Sequence, residues 1–230
     1  MAKVRKTQVT SERHSRFNEF YSLAFGDYLA ARSPLLAELL PQGAGMAATA
    51  VEKIFKAILS IRGENVGGHL KIALIHSIKN YQPALFAQLR SDFLEFLIAA
   101  YNLRYLDNLN AGHSLVISKY RTLAEIDRTM CIIFSGLEVK QSEARLLLPF
   151  EQAKVEKNAL LMTENYFIED GSTTRYFTRQ NFVQEIKVFG PYESVNATYR
   201  MEFAGNSGSF VKPVNLVKNE TGLVGQFSGG

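Results

Sequence analysis

The chain of 230 residues contains one cysteine, four histidines and no tryptophan. A single thiol, Cys131, cannot form an internal disulfide, and the four histidines form no Cys/His cluster with zinc-ligand spacing. The longest uninterrupted apolar run covers only residues 96–101, far short of the roughly 20 residues that a membrane helix needs. A basic polar segment follows Met1 in place of a secretory signal. We therefore expect a cytoplasmic protein with no membrane span, no metal and no cofactor.

Charged residues are also scarce, and they are unevenly distributed. They make up 21% of the chain against 47% hydrophobic residues, which is typical of a globular protein. The formal net charge is +4, and the basic excess lies in the first two thirds of the sequence, partly in an arm over residues 1–12. A short basic arm attracts polyanions weakly and without specificity. We interpret this arm as a solvated terminal segment.

Hydrophobic periodicity predicts helices in the first part of the chain. From Ser11 to about Leu137, apolar residues recur at helical spacing, and glycine and proline residues fall between the periodic runs. The last of these runs is predicted to form one helix from Ser114 to Leu137. Four to five amphipathic helices joined by short loops indicate an antiparallel helical bundle.

In the last part of the chain the period changes to two. Polar and apolar residues alternate strictly over 198–203, and turn-forming residues bracket the alternating runs. Strands are predicted in these ranges: 159–168, 173–179, 182–189, 196–204, 209–217 and 222–227. We expect an α+β protein with the bundle over 13–137 and a connecting helix or linker over 138–156. A small antiparallel β domain is expected over 157–230.

The second predicted helix carries a recognisable signature. The sequence over 47–59 reads Ala-Ala-Thr-Ala-Val-Glu-Lys-Ile-Phe-Lys-Ala-Ile-Leu, and Gly63 and then Gly68-His69-Leu70 follow it. The segment 27–32 precedes this signature, and the segment 101–107, Tyr-Asn-Leu-Arg-Tyr-Leu-Asp, comes after it. In this order and spacing, these segments resemble the HEPN domain family over about residues 13–135. The resemblance implies a helical bundle that forms a homodimer.

The first functional hypothesis follows from this resemblance. It is a non-catalytic module that binds nucleotide, RNA or a partner protein, the partner being of antitoxin or nucleotidyltransferase type, and the β tail selects that partner. Four side chains would line its polar groove: Lys53, Lys56, His69 and Arg104. For the two lysines, the structural alternative is a solvated helix face with an ion pair between Glu52 and Lys56.

An endoribonuclease is the alternative hypothesis. In the ribonuclease members of the family, an arginine that holds the phosphate precedes a histidine that acts as acid/base, with about four to six residues between them. Arg104 and His113 have eight residues between them, so this spacing departs from the family pattern. A metal-independent enzyme of toxin or defence type would use these two side chains, with Asn110 or Asp107 orienting them.

An adaptor is the third hypothesis. In this case the β tail is the functional surface, and the bundle serves only for dimerisation. The tail interleaves many aromatic residues with basic ones, among them Arg179 and Arg200. On such a surface the aromatic side chains would stack on the bases of single-stranded nucleic acid. In the alternative interpretation they form the core side of a sheet or an interface with a partner. The sequence does not rank the first and third hypotheses.

Overall fold

The computed structural model describes residues 11–64, 67–103, 111–137, 148–190, 193–205, 208–214, 216–219 and 222–225. Its helices are α1 (Ser11–Leu36), α2 (Leu40–Arg62), α3 (Ile72–Tyr81), α4 (Pro83–Phe86), α5 (Ser91–Asn102), α6 (Lys119–Gly136), α7 (Pro149–Val155), α8 (Ala159–Met162), α9 (Tyr166–Asp170) and α10 (Thr174–Phe177). Its strands are β1 (His113–Ser118), β2 (Asn181–Gly190), β3 (Glu193–Met201), β4 (Val211–Pro213), β5 (Leu216–Asn219) and β6 (Gly222–Gly225). The predicted α+β class, with an N-terminal helical bundle and a small antiparallel sheet, is confirmed.

Helices α1 and α2 form the antiparallel pair on which the bundle is built. Gly43 allows them to approach closely, because a β-carbon there would lie 2.5 Å from a side-chain atom of Leu35. Gly63 ends α2 in the left-handed conformation with φ 89°, as its sequence position predicts. Helices α5 and α6 pack against α2 and complete the core. The close approach at Gly43 thus lets α1 and α2 pack tightly next to the short loop that joins them.

The four-stranded sheet has the order β3-β2-β1-β4, and its described pairings are all antiparallel. The face of the sheet that carries Leu115, Ile117 and Ile186 belongs to the same hydrophobic core as the helices. Strands β5 and β6 form a separate two-stranded hairpin. The domain boundaries at 137 and 157 stay predictions, and residues 138–147 of the expected linker lie outside the described residues.

The prediction of one helix from Ser114 to Leu137 is wrong at its start. Residues up to Ser118 form β1, which lies inside the sheet between β2 and β4, and α6 begins only at Lys119. Leu115 to Ile117 is a short apolar run that suits either a strand or a buried helix. The change from strand to helix is fixed by Asn181, whose amide accepts a hydrogen bond from the Tyr120 N–H (3.1 Å) and donates one to Ser118 Oγ (2.8 Å).

The strands predicted over 159–168 and 173–179 are also wrong, because these ranges form the short helices α8, α9 and α10. Asn158 and Asn165 cap α8 and α9 with their side-chain oxygens, which accept hydrogen bonds from Leu161 N and Ile168 N. Helices of only four or five residues carry too little periodicity to be recognised in the sequence. The predicted strands further along correspond to β2 and β3, while the range 209–217 is divided between β4 and β5.

A buried ion pair ties these short helices to the bundle. The Arg32 guanidinium of α1 pairs with the Asp127 carboxylate of α6, and both side chains are fully buried. Asp127 also accepts hydrogen bonds from the hydroxyls of Tyr28 (2.6 Å) and Tyr176 (2.5 Å). Asn165 donates to the Tyr28 hydroxyl (2.9 Å). Elements that are distant in sequence therefore meet at one carboxylate.

The remaining donors of Arg32 hold the chain around α8. They bond to the carbonyl oxygens of Leu160 (3.1 Å for Nε) and Thr163. Burial disfavours the charge of Arg32, but the charge of Asp127 and their hydrogen bond more than offset this, so the pKa of Arg32 is raised. Burial and then the Asp127 charge raise the pKa of Tyr176, which therefore stays a hydrogen-bond donor.

We expect Asp127→Ala to lower the free energy of unfolding by about 3–5 kcal/mol, because the Arg32 charge would be left buried without its partner. Urea unfolding followed by circular dichroism measures this change. The control is Glu151→Ala, which removes a half-exposed carboxylate paired with Lys154 and should cost less than about 1 kcal/mol. Similar small losses in both variants would contradict the role given to Asp127.

Candidate functional site

The loop before α3 is bound to α2 by Glu52. The buried Glu52 carboxylate accepts hydrogen bonds from Lys56 Nζ (2.8 Å) and from the backbone N–H of Leu70 (3.0 Å). Lys56 Nζ also donates to the carbonyl oxygen of Gly68 (2.5 Å). Glu52 and Lys56 thus form the ion pair that their spacing predicts, and the pair organises the loop.

His69 lies near the end of this loop, and its imidazole ring is largely exposed. Its side chain is 60% exposed, Nδ1 lies 2.7 Å from the Tyr101 hydroxyl, and the two rings are 4.7 Å apart. Nδ1 also lies 3.7 Å from Glu52. Tyr101 and Glu52 therefore hold His69 in a defined orientation at the surface.

The other cations of the predicted groove have partners within the chain. Lys53 Nζ lies 2.6 Å from the Asp27 carboxylate, and Lys56 is paired with Glu52. The structure brings Lys53, Lys56 and His69 to the same part of α2 and its loop, but it compensates both lysine charges internally. Arg104, the fourth predicted member of the groove, lies outside the described residues.

Of the residues predicted for a ribonuclease site, the structure describes only His113. It is the first residue of β1, it is exposed, and its Nδ1 lies 3.3 Å from the carbonyl oxygen of Ala111. Arg104, Asp107 and Asn110 lie outside the described residues. The catalytic arrangement therefore stays a prediction.

A cleft between the bundle and the sheet collects cations that the sequence did not single out as a group. Its volume is about 390 Å³, and its lining residues are Glu38, Lys119, Tyr120, Thr178, Arg179, Gln180 and Arg200. Three of these side chains are cationic and one is a carboxylate. We name it the cation cleft.

Two cations of the cation cleft share its carboxylate. Arg200 donates two hydrogen bonds to Glu38 (3.1 and 2.8 Å), and Lys119 Nζ lies 3.8 Å from the same group. Lys119 also donates to the carbonyl oxygen of Leu36 (2.8 Å). Glu38 is in the α1–α2 loop with φ 64°. One carboxylate therefore serves two cations, and the lining keeps a positive excess.

Arg179 supplies the third cation, and Tyr120 positions it. Its guanidinium lies 5.7 Å from the centre of the Tyr120 ring, and a hydrogen bond with Tyr120 raises the pKa of Arg179. The Tyr120 hydroxyl donates to Glu164 (2.7 Å), and burial together with this bond raises the pKa of Tyr120. Over the described ranges, Arg179 forms no ion pair within 4.0 Å.

The sequence holds no signal that groups these three cations. Lys119 begins α6, Arg179 follows α10, and Arg200 lies near the end of β3. Only the sheet register and the position of α10 bring them together, and no spacing pattern links segments so far apart in the chain.

A second polar cluster lies beside β4 and is structural. Arg90 pairs with Asp92 and with the buried Glu125 (2.9 Å). The Arg121 guanidinium lies 3.9 Å from the centre of the Phe210 ring and bonds to the carbonyl oxygen of Gly208. Burial lowers the pKa of Arg121 and raises that of Glu125. These contacts attach the segment before β4 to α6.

The described residues offer little for other kinds of site. They contain no group of three or more His, Cys, Asp or Glu side chains that could hold a metal ion. None of their helices has the length and apolar character required to cross a bilayer. Cys131 lies on the wall of a cavity of about 440 Å³, and burial raises the pKa of its thiol, which makes it a weak nucleophile.

Comparisons with protein-family models, with curated proteins and with solved structures found no match to this chain. The resemblance of residues 13–135 to HEPN domains therefore stays a prediction from the sequence. The candidate site rests on the geometry of the described residues alone.

We expect Glu52→Ala to release the loop before α3. The amide of Leu70 should exchange with solvent about tenfold faster or more, because it loses its buried acceptor and a hydrogen bond to a charged group contributes about 1.5–3 kcal/mol. Hydrogen exchange followed by NMR measures this rate. Glu52→Gln keeps a side-chain oxygen for Leu70 and should lose less protection.

Glu64→Ala is the control for this exchange experiment. It removes a carboxylate that pairs with the exposed Arg62 near the end of α2. It should leave Leu70 protected. Unchanged exchange in Glu52→Ala would show that the loop is held by other contacts.

Proposed function

We propose that the protein is a non-catalytic module that binds a phosphate-bearing ligand, RNA or a nucleotide, and that the ligand's phosphate enters the cation cleft. The observation that carries this proposal is that Lys119, Arg179 and Arg200 line one cleft whose single lining carboxylate, Glu38, is paired with Lys119 and Arg200. A guanidinium group presents several N–H donors in a planar fork that matches phosphate oxygens. Over the described ranges Arg179 forms no ion pair within 4.0 Å, although it is hydrogen-bonded to Tyr120 and attracted by the more distant Glu164 carboxylate.

The cleft also fits the size of such a ligand. Its volume of about 390 Å³ lies within the roughly 300–1,000 Å³ of small-molecule sites. The lysine groove predicted on α2 supports binding less well, because Asp27 and Glu52 already neutralise Lys53 and Lys56. On α2 each lysine has a carboxylate of its own. In the cation cleft Lys119 and Arg200 share one carboxylate, so fewer negative charges compete with a phosphate there.

The HEPN resemblance supports the same class of function. It implies a helical module that binds nucleotide, RNA or a partner protein, and it covers the bundle that supplies Glu38 and Lys119. The β tail contributes Arg179 and Arg200, so the proposal gives the tail a part in ligand binding beside the partner recognition expected from the sequence.

The test is fluorescence anisotropy with a labelled, short, mixed-sequence single-stranded RNA, with a nucleoside triphosphate as competitor. We expect Arg179→Ala to weaken RNA binding about tenfold, as the loss of a charged hydrogen bond does. The slope of log affinity against log salt should fall by about 0.7, as expected for one lost phosphate contact. Competition by the triphosphate would identify the nucleotide as a ligand of the same site.

The matched control is Lys79→Ala, which removes one positive charge from the exposed side of α3. It should change affinity less than twofold, because a distant surface charge is largely screened. Equal effects of Lys79→Ala and Arg179→Ala would show that the binding is only non-specific charge attraction. A loss confined to Lys53→Ala and His69→Ala would instead place the ligand on α2.

The same RNA separates binding from catalysis. On this proposal the chain leaves the RNA intact during incubation in EDTA. Cleavage that produces 2′,3′-cyclic phosphate ends, and that is lost in both Arg104→Ala and His113→Ala, would replace the proposal with the ribonuclease alternative. Mass spectrometry of the RNA ends measures this outcome.

A further inference from the structure

Strand β3 is the exposed edge of the four-stranded sheet. It spans nine residues, Glu193–Met201, and among the described strands it pairs with β2 on one side only. All of its residues are exposed except Ala197, which is half-buried. The strand contains no proline. Its register with β2 is regular except at its start, where β2 shifts between Val188 and Gly190. A long, regular edge of this kind is a template for pairing with another strand.

The two faces of β3 differ in chemistry. The register with β2 places Ser194, Asn196, Thr198 and Arg200 on the face that packs toward the helices. The opposite face carries Val195, Ala197, Tyr199 and Met201. We call these four residues the outer row. Val195 and Tyr199 are each 40% exposed, so the outer row presents apolar area to water.

We infer that β3 pairs with β3 of a second copy of this chain, antiparallel about a two-fold axis at Ala197. This register aligns all nine residues of both strands. Val195 of each copy then lies opposite Tyr199 of the other, and Ala197 lies opposite itself. Antiparallel pairing places directly opposite residues on the same face, so the two outer rows form one continuous apolar surface.

The sequence of β3 is complementary to itself in this register. A β-branched residue opposite an aromatic one is a favourable cross-strand pair, and it occurs twice by symmetry. No like charges meet, since Glu193 lies opposite Met201 and Arg200 lies opposite Ser194. An isologous contact of this kind closes after two copies and yields one eight-stranded sheet. These features favour a second copy over a strand from another protein.

The first test is the mass of the full chain in sedimentation equilibrium over a range of concentrations. We expect the wild type to move from 25.8 kDa toward twice that mass. The double variant Val195→Lys with Tyr199→Lys should stay monomeric, because lysines would then face each other across the two-fold axis. Circular dichroism checks that the variant is folded.

The matched control replaces two exposed apolar residues on helices, Ile72→Lys with Leu160→Lys. It adds the same charge and should dimerise like the wild type. Mixing the lysine variant of β3 with a Val195→Glu, Tyr199→Glu variant should restore a dimer. A wild-type chain that stays monomeric, or a dimer that the β3 lysines leave intact, would overturn the inference.

Disulfide trapping tests the register. Ala197→Cys should form a covalent dimer under mild oxidation, because the two thiols lie opposite each other at the axis. Thr198→Cys, one residue away on the other face, should cross-link at least tenfold more slowly, because it does not oppose itself. The buried Cys131 is replaced by serine in both variants. Equal cross-linking of the two variants would refute the Ala197-centred pairing.

Discussion

The Asp127 carboxylate is the constraint on which the arrangement of this fold depends. A buried carboxylate is stable only when its charge is paired and its oxygen atoms are hydrogen-bonded. Here Arg32 supplies the charge, and Tyr28 and Tyr176 supply further donors. Because these groups come from α1, α6 and α10, the requirements of one side chain fix the relative positions of three segments. No single helix could satisfy them.

The hydrogen bond between Asp127 and Tyr176 also affects the cation cleft, because the residues that follow α10 line it. Tyr176 is held by Asp127, and three residues later Arg179 enters the cleft beside Tyr120. Asn181 then joins the start of β2 to the start of α6. The cleft thus depends on a buried polar network whose residues do not line it. Variants that weaken the network are expected to disturb the cleft, which is why folding must be checked beside binding.

The sequence could predict those elements whose apolar residues show a long, regular period. Helices α1, α2 and α5 and strands β2 and β3 follow from this signal, and so does the Glu52–Lys56 pair at spacing i,i+4. Strand β1 and helices α8 to α10 could not be predicted, since their short runs fit either period and tertiary hydrogen bonds decide between them. The cation cleft could not be predicted for a related reason. Its members are far apart in sequence, whereas the lysines of α2 are close together and exposed in a helical projection.

The charges on α2 show how cations that look free in the sequence become paired in the folded chain. Lys53 looks free along α2, but antiparallel packing brings Asp27 of α1 to 2.6 Å from it. In the cation cleft the opposite occurs, since Arg200, on the face of β3 toward the helices, joins Lys119 at one shared carboxylate. The face of β3 toward the helices therefore carries Arg200, while its outer row presents apolar side chains. Because the proposed ligand contact and the proposed pairing use different residues of one strand, substitutions can change one without the other.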